Sequence, residues 1–142
     1  MPPNGYILLV EDNEDDIDLT RRALAKNNIV NRVEIMRDGQ EALDFLLGTP
    51  DRPLPEVVLL DIRMPRVDGF EVLQAIRANQ RTAHLPVVML TSSSQERDII
   101  DSYGHGANSY VQKPVVLAEF MEAVRNVGVY WLLLNKRDPR DG

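Results

Sequence analysis

Carboxylates are concentrated in one short segment near the start of the chain. Six of the eight residues from Glu11 to Asp18 are acidic, and the first lysine or arginine of the chain is Arg21. The first turn of an α-helix favours negative charge because of the helix dipole, so we expect four of these residues on a solvated helix face. The four are Glu14, Asp15, Asp16 and Asp18.

Glu11 and Asp12 differ from those four because they directly follow an apolar run and precede the helix. Adjacent carboxylates at the end of a buried strand repel each other and favour a bound cation. Carboxylate oxygens suit Mg²⁺ or Mn²⁺, which keep water or phosphate in their remaining positions. The residues alone leave a metal site and a solvated acidic pair equally open.

Three further polar residues stand at the ends of short strand-like runs. Asp61 offers a carboxylate, Thr91 a hydroxyl, and Lys113 one of only three ammonium groups in the chain; the runs cover 57–60, 87–90 and 109–112. A lysine opposite carboxylates is a charge partner, and each such contact contributes of the order of 4 kcal/mol before desolvation is subtracted. An aspartate in a solvated loop remains the alternative interpretation of Asp61.

The elements that position these residues follow from hydrophobic spacing. Short apolar runs rich in β-branched residues alternate with longer segments of helical spacing, which predicts a βα repeat. The predicted strands cover 6–10, 32–36, 57–60, 87–90 and 109–112, and the predicted helices cover 14–27, 40–47, 70–78, 95–103 and 116–133.

This pattern predicts an α/β fold, a doubly wound five-stranded parallel sheet of order 2-1-3-4-5 with helices on both faces, flavodoxin-like (βα)5. Ligands of such sheets bind at the carboxyl ends of the strands, and strands one and three are neighbours at the switch point. We therefore expect Asp12 and Asp61 to face each other, with Thr91 and Lys113 at the same edge.

Length and composition restrict the class of protein. The 142 residues, with a core expected over 5–134, suit one domain and leave no room for an output domain. A net charge of −6 disfavours nucleic-acid binding, and the absence of cysteine excludes disulfides and thiolate metal sites. The apolar run 127–134 is too short to span a membrane and no signal peptide is evident, so we predict a cytoplasmic protein.

The order of these parts resembles the receiver domain of two-component response regulators, over nearly all 142 residues. The matching pieces are Glu11-Asp12, Asp61, Met64-Pro65, Asp68-Gly69, Thr91-Ser92 and Lys113-Pro114. Within that family the chain looks most like the single-domain regulators paired with phytochrome-type sensor kinases. That likeness rests on Asp98-Ile99, Ser102-Tyr103 and the last helix, from Phe120 to Trp131.

The resemblance implies a role for each of these residues. Asp61 would accept a phosphoryl group from a sensor histidine kinase. The likeness to phytochrome-paired regulators implies that this kinase is a bacteriophytochrome. Asp12, Asp61 and the Arg63 carbonyl would bind Mg²⁺ or Mn²⁺, with Glu11 acting through water. Thr91 would hydrogen-bond the phosphoryl group, Lys113 would pair with it, and Tyr110 would turn inward as Thr91 shifts. A half-buried strand aromatic is the alternative interpretation of Tyr110.

Three other classes of function were weighed against the residues. A Mg-dependent aspartyl-phosphate phosphatase usually has a second aspartate two positions after the acceptor, where this chain has Arg63. The acidic loop after the first strand would repel a flavin phosphate, which disfavours a flavodoxin-like electron carrier. A phosphorylation-independent binding module would be expected to lack the acceptor or the lysine. We therefore expect no enzyme, apart from self-phosphorylation and slow autodephosphorylation.

The run 127–134 is apolar on every side of its predicted helix, although only one side can face the core. This surplus predicts a homodimer through the face formed by the predicted helix 95–103, the strand 109–112 and the predicted helix 116–133. The alternative is that the C-terminal tail folds back over Tyr130 and Leu134.

Overall fold

Five parallel strands form one sheet in a computed structural model that describes residues 5–26, 31–48, 51–64, 66–91, 109–113 and 116–126. The strands are β1 (Ile7–Val10), β2 (Val33–Met36), β3 (Val57–Asp61), β4 (Val87–Thr91) and β5 (Ser109–Gln112). The helices are α1 (Glu14–Lys26), α2 (Gly39–Leu47), α3 (Gly69–Ala78) and α4 (Leu117–Asn126). The strand order is β2-β1-β3-β4-β5, which confirms the predicted fold.

The core has one layer on each side of the sheet. Alternate residues of the central strands point to opposite faces, and β1, β3 and β4 are buried throughout, as their continuous apolar runs require. On one face α1 and α4 contribute Ile17, Leu24 and Phe120 to the core. On the other, α2 and α3 contribute Leu46 and Leu73. The helices of both faces therefore fix the strand ends relative to one another.

Side chains cap three of the helices close to the strand ends. Asn13 accepts a hydrogen bond from the Asp16 amide at 3.0 Å, at the start of α1. Asp38 caps α2, and Asp68 forms a reciprocal capping box with Glu71 at α3. Each cap follows its strand by two to seven residues, so capping fixes the point at which each connection enters its helix.

Two strands extend one residue further than predicted. Asp61 and Thr91 belong to β3 and β4, where Asp61 is in register with Leu90 and Thr91 with Gln112. The main chain continues the ladder here, since the Lys113 amide donates to the Thr91 carbonyl at 2.6 Å. Both side chains consequently start from the buried sheet and not from a loop.

The connection from β3 to α3 runs close to the acceptor strand. Gly69 donates its amide to the Ile62 carbonyl at 2.8 Å, and its Cα faces the Asp61 and Ile62 backbone with no room for a Cβ. Arg66, with φ of 68°, adopts the left-handed conformation and pairs with Asp38 at 2.6 Å. This loop is thus attached to the start of α2.

Several predictions fall on residues outside the described ranges. They include the predicted helix 95–103, the continuation of the last helix beyond Asn126, and the apolar run 127–134. The homodimer face consists mostly of these residues, so the homodimer stays a prediction. No helix in the described ranges is long and apolar enough to span a lipid bilayer.

Candidate functional site

The polar side chains predicted at the carboxyl edge of the sheet lie close together there. Glu11 and Thr91 are fully buried, Asp61 is 2% exposed, and Asp12 is exposed. Carboxylate oxygens of Glu11, Asp12 and Asp61 lie within 4.8 Å of one another. Asp12 and Asp61 therefore meet at one edge, as the strand order predicted.

Lys113 reaches into this acidic cluster from the end of β5. Its Nζ donates to Glu11 Oε1 at 3.1 Å and to Asp16 Oδ2 at 3.0 Å. It also lies 3.1 Å from Asp61 Oδ1, as an ion pair without hydrogen-bond geometry. With only 12% of its side chain exposed, the ammonium is a mostly buried charge shared by three carboxylates.

Burial changes the protonation of this cluster. Desolvation and the neighbouring Asp61 charge raise the pKa of Glu11 to about 7, against the opposing effect of Lys113. Desolvation also raises the pKa of Asp61, again opposed by Lys113. Desolvation lowers the pKa of Lys113, but the hydrogen bond to Asp16 and the charges of Asp61 and Glu11 outweigh it, so that pKa is raised. One ammonium therefore does not balance the buried negative charge.

The donor set fits a hard divalent cation. Carboxylate oxygens are the ligands that Mg²⁺ and Mn²⁺ prefer, and three of these groups converge here. Asp61 Oδ1 is buried and accepts no hydrogen bond from the described residues, so it retains a lone pair for another partner. Arg63 follows Asp61 by two residues with an exposed side chain, and its carbonyl stays a predicted ligand.

Thr91 and Tyr110 occupy neighbouring strands. The Thr91 hydroxyl is fully buried and has no hydrogen-bond partner among the described residues, an unusual state for a buried polar atom. Tyr110 is half-buried and packs against the core on the α2 and α3 face. The hydroxyl is therefore available to a group bound at the edge, and the switch roles of both residues stay predictions.

Asp16 is the residue of this site that the sequence analysis missed. Its expected place on a solvated helix face is wrong, because its carboxylate contacts Lys113. The spacing of Asp16, Thr20 and Ala23 places Asp16 at the edge of the core-facing stripe of α1, and that periodicity was the available signal. The other acidic residues of this segment do face solvent: Glu14 pairs with Arg37 at 2.8 Å and Asp18 with Arg22 at 2.9 Å.

Comparison with known proteins agrees with this geometry. The profile of the response regulator receiver domain matches residues 7–125. The chain belongs to this family. The resemblance to this family stated from the residues is thereby confirmed.

Similar proteins include regulators linked to phytochromes. The structure of the bacteriophytochrome response regulator AtBRR is 47% identical, with a TM-score of 0.87, over 95% of this chain and all of that one. Response regulator Rcp1 of Synechocystis is 37% identical over 92% of this chain and 90% of its own length. Its Mn²⁺-bound crystal structure gives a TM-score of 0.71 at 35% identity, over 94% of this chain and 99% of that one. The predicted likeness to phytochrome-associated single-domain regulators is confirmed.

A further relative is named as a regulator of methanogenesis. The probable methanogenesis regulatory protein FilR2 of Methanothrix harundinacea is 41% identical over 132 residues, which are 92% of this chain and 85% of that protein. Receiver domains of similar sequence therefore occur in proteins with different named roles. The comparisons thus establish the family.

Proposed function

We propose that Asp61 accepts a phosphoryl group from a sensor histidine kinase in a reaction that requires a divalent cation. The observation that carries this proposal is the surroundings of Asp61. Its buried Oδ1 accepts no hydrogen bond from the described residues, and Lys113 lies 3.1 Å away among further carboxylates. A buried carboxylate beside a lysine, with further carboxylates that can hold a cation, is arranged to act as a nucleophile towards a phosphoryl group.

The proposed transfer exchanges one bond to phosphorus for another. An oxygen of Asp61 forms a bond to phosphorus as the bond to the kinase histidine nitrogen breaks, and the imidazole keeps that electron pair and takes up a proton. Catalysis of such transfers consists mainly of positioning and neutralisation of charge. Lys113 supplies a positive charge beside the acceptor, and the unpartnered Thr91 hydroxyl is available to donate to a phosphoryl oxygen.

The metal ligands follow from the same cluster. Glu11, Asp12, Asp61 and the Arg63 carbonyl would hold Mg²⁺ or Mn²⁺, an ion that neutralises charge on phosphoryl oxygens when bound. The Mn²⁺-bound form of Rcp1 supports this assignment by similarity. Arg63, an arginine where a phosphatase would have an acid or base, supports a phosphorylated switch and not a hydrolase.

The relatives support a phytochrome-type kinase as the partner. AtBRR is by name a bacteriophytochrome response regulator, and it is 47% identical to this chain. The added phosphoryl group would bring roughly −1.5 to −2 charge to the buried edge. We propose that Thr91 and Tyr110 transmit this change to the face formed by β5 and α4, where Val116, the residue before α4, is 45% exposed.

A small phosphodonor tests the proposed function without a kinase. Incubation with acetyl phosphate and Mg²⁺ is expected to add one acid-labile phosphoryl group, measured by intact-protein mass. Omission of the cation with a chelator is expected to prevent the addition, because the charge of the phosphoryl oxygens is then not neutralised. An unmodified mass at saturating donor and Mg²⁺ would reject the proposal.

We predict weak Mg²⁺ binding that depends on Asp12. Few protein ligands and much retained water give a small gain in free energy, so the dissociation constant should lie in the millimolar range. Titration followed by NMR of the Asp12 and Asp61 amides measures it. Asp12→Asn is expected to weaken binding about tenfold, a difference of ~1.4 kcal/mol.

The matched control for this titration is Asp15→Asn. Asp15 lies on the same stretch of chain, but it is exposed and makes no ion pair with another described residue. Its substitution removes the same charge and should leave the Mg²⁺ affinity unchanged. Equal weakening by Asp12→Asn and Asp15→Asn would indicate a diffuse acidic surface in place of a site.

A further inference from the structure

Lys113 is shared by three carboxylates, of which Asp61 alone is the proposed phosphoryl acceptor. Its Nζ hydrogen-bonds Asp16 Oδ2 at 3.0 Å and Glu11 Oε1 at 3.1 Å, whereas its contact with Asp61 lacks hydrogen-bond geometry. An ammonium group has three N–H donors. Two of the three are thus directed to carboxylates that do not take part in bond formation.

Asp16 owes its position to the start of α1. The Asn13 side chain accepts the Asp16 amide at 3.0 Å, while the Asn13 amide donates to Glu11 Oε2 at 3.2 Å. Asn13, Glu11, Lys113 and Asp16 therefore form a closed ring of four hydrogen bonds. This ring fixes where the Asp16 carboxylate lies relative to the ammonium.

The two carboxylates that hold Lys113 differ in exposure. The Glu11 side chain is fully buried, and the Asp16 side chain is 24% exposed. Glu11 is also one of the proposed metal ligands, so its negative charge would interact with a bound cation as well as with Lys113. Asp16 lies outside that ligand cluster and forms its ion pair with Lys113.

We propose that Asp16 is a positioning residue that holds the Lys113 ammonium by a hydrogen bond, so that an incoming phosphoryl group on Asp61 competes with Asp16 for it. This inference rests on the proposed function. The phosphoryl group carries more charge than the carboxylate it modifies, so it attracts the ammonium more strongly. Asp16 opposes that attraction and thereby weakens the phosphorylated state relative to the resting state.

Beryllofluoride, a phosphoryl mimic that bonds to aspartate, tests the competition. Fluorine NMR measures its affinity in the wild-type chain and in Asp16→Asn, at Mg²⁺ concentrations shown to saturate each protein. Asp16→Asn keeps the size of the side chain and removes its charge. We expect about tenfold tighter binding of the mimic, equivalent to ~1.4 kcal/mol.

Two controls separate competition for Lys113 from a general effect of charge. Asp15→Asn removes an equal charge from the same turn of α1 and should change the affinity less than about twofold, because exposed charges are screened. In a Lys113→Ala background, Asp16→Asn should no longer tighten binding, since the group for which Asp16 competes is gone. A gain of equal size with and without Lys113 would overturn the proposal.

Asp16→Ala provides a second variant, because an asparagine oxygen still accepts a hydrogen bond from Lys113. It should bind the mimic at least as tightly as Asp16→Asn. Unchanged or weaker binding by both variants would overturn the proposal and leave the proposed function intact. Failure of the wild-type chain itself to bind beryllofluoride with Mg²⁺ would reject the proposed function, and with it this inference.

Discussion

Asp61→Asn is expected to abolish phosphoryl uptake from both acetyl phosphate and a phosphorylated sensor kinase. The substitution replaces the nucleophilic carboxylate by an amide of nearly the same shape, at a residue that is 2% exposed at the end of β3. Glu11, the other buried carboxylate beside Lys113, already accepts hydrogen bonds at both of its oxygens, so no second acceptor should replace Asp61 among the described residues. Intact-protein mass measures the loss.

A metal series distinguishes loss of the acceptor from loss of the cation. Asp12→Asn should slow phosphoryl uptake at low Mg²⁺ and regain much of the rate at high Mg²⁺, because it removes one ligand only. Asp61→Asn should remain unmodified at every Mg²⁺ concentration. A phosphorylated Asp61→Asn protein would disprove the assignment of the acceptor.

Asp68→Asn is a matched control for this assay. Asp68 lies seven residues after Asp61 and caps α3, a position where asparagine is as favourable as aspartate. The chemical change is the same, but the residue is outside the acidic cluster. Phosphoryl uptake by this variant should match that of the wild-type chain.

The metal-free protein is expected to gain stability from Glu11 at acidic pH and to lose it as the pH rises. Burial and Asp61 raise the pKa of Glu11 from 4.5 to about 7, so the folded state binds the proton more strongly than the unfolded state. The contribution is complete below pH 4.5 and disappears as the pH passes through 7. It should amount to roughly 3 kcal/mol in the free energy of unfolding, since one pKa unit corresponds to about 1.4 kcal/mol.

Thermal unfolding of the wild-type chain and Glu11→Gln isolates this contribution from other titrating groups. Glutamine can still accept from Lys113 but cannot titrate, so the difference in Tm between the two proteins should change between acidic and neutral pH. Mg²⁺ should stabilise the wild-type chain more at alkaline than at acidic pH, because it favours the ionised carboxylates. Parallel profiles of Tm against pH for the two proteins would contradict the raised pKa of Glu11.

The sequence by itself determined the sheet and most of the residues that form the site. The runs that became β1, β3 and β4 are apolar throughout, a pattern that only strands buried on both faces require. Parallel strands present their carboxyl ends at one edge, so residues at those ends had to meet there. Asp61 and Lys113 could therefore be assigned to one place although they are far apart in the chain.

The tertiary structure alone decided the charge relations inside that site. Helical spacing places Asp16 beside the buried stripe of α1, but whether its carboxylate reaches Lys113 depends on how α1 is seated, which the Asn13 cap and the packing of Ile17 set together. The pKa of Glu11 depends on its complete burial beside Asp61, a property of the folded edge. Residue types and spacing predict which groups approach one another, whereas hydrogen-bond partners and protonation depend on distances of a few ångströms that only packing fixes.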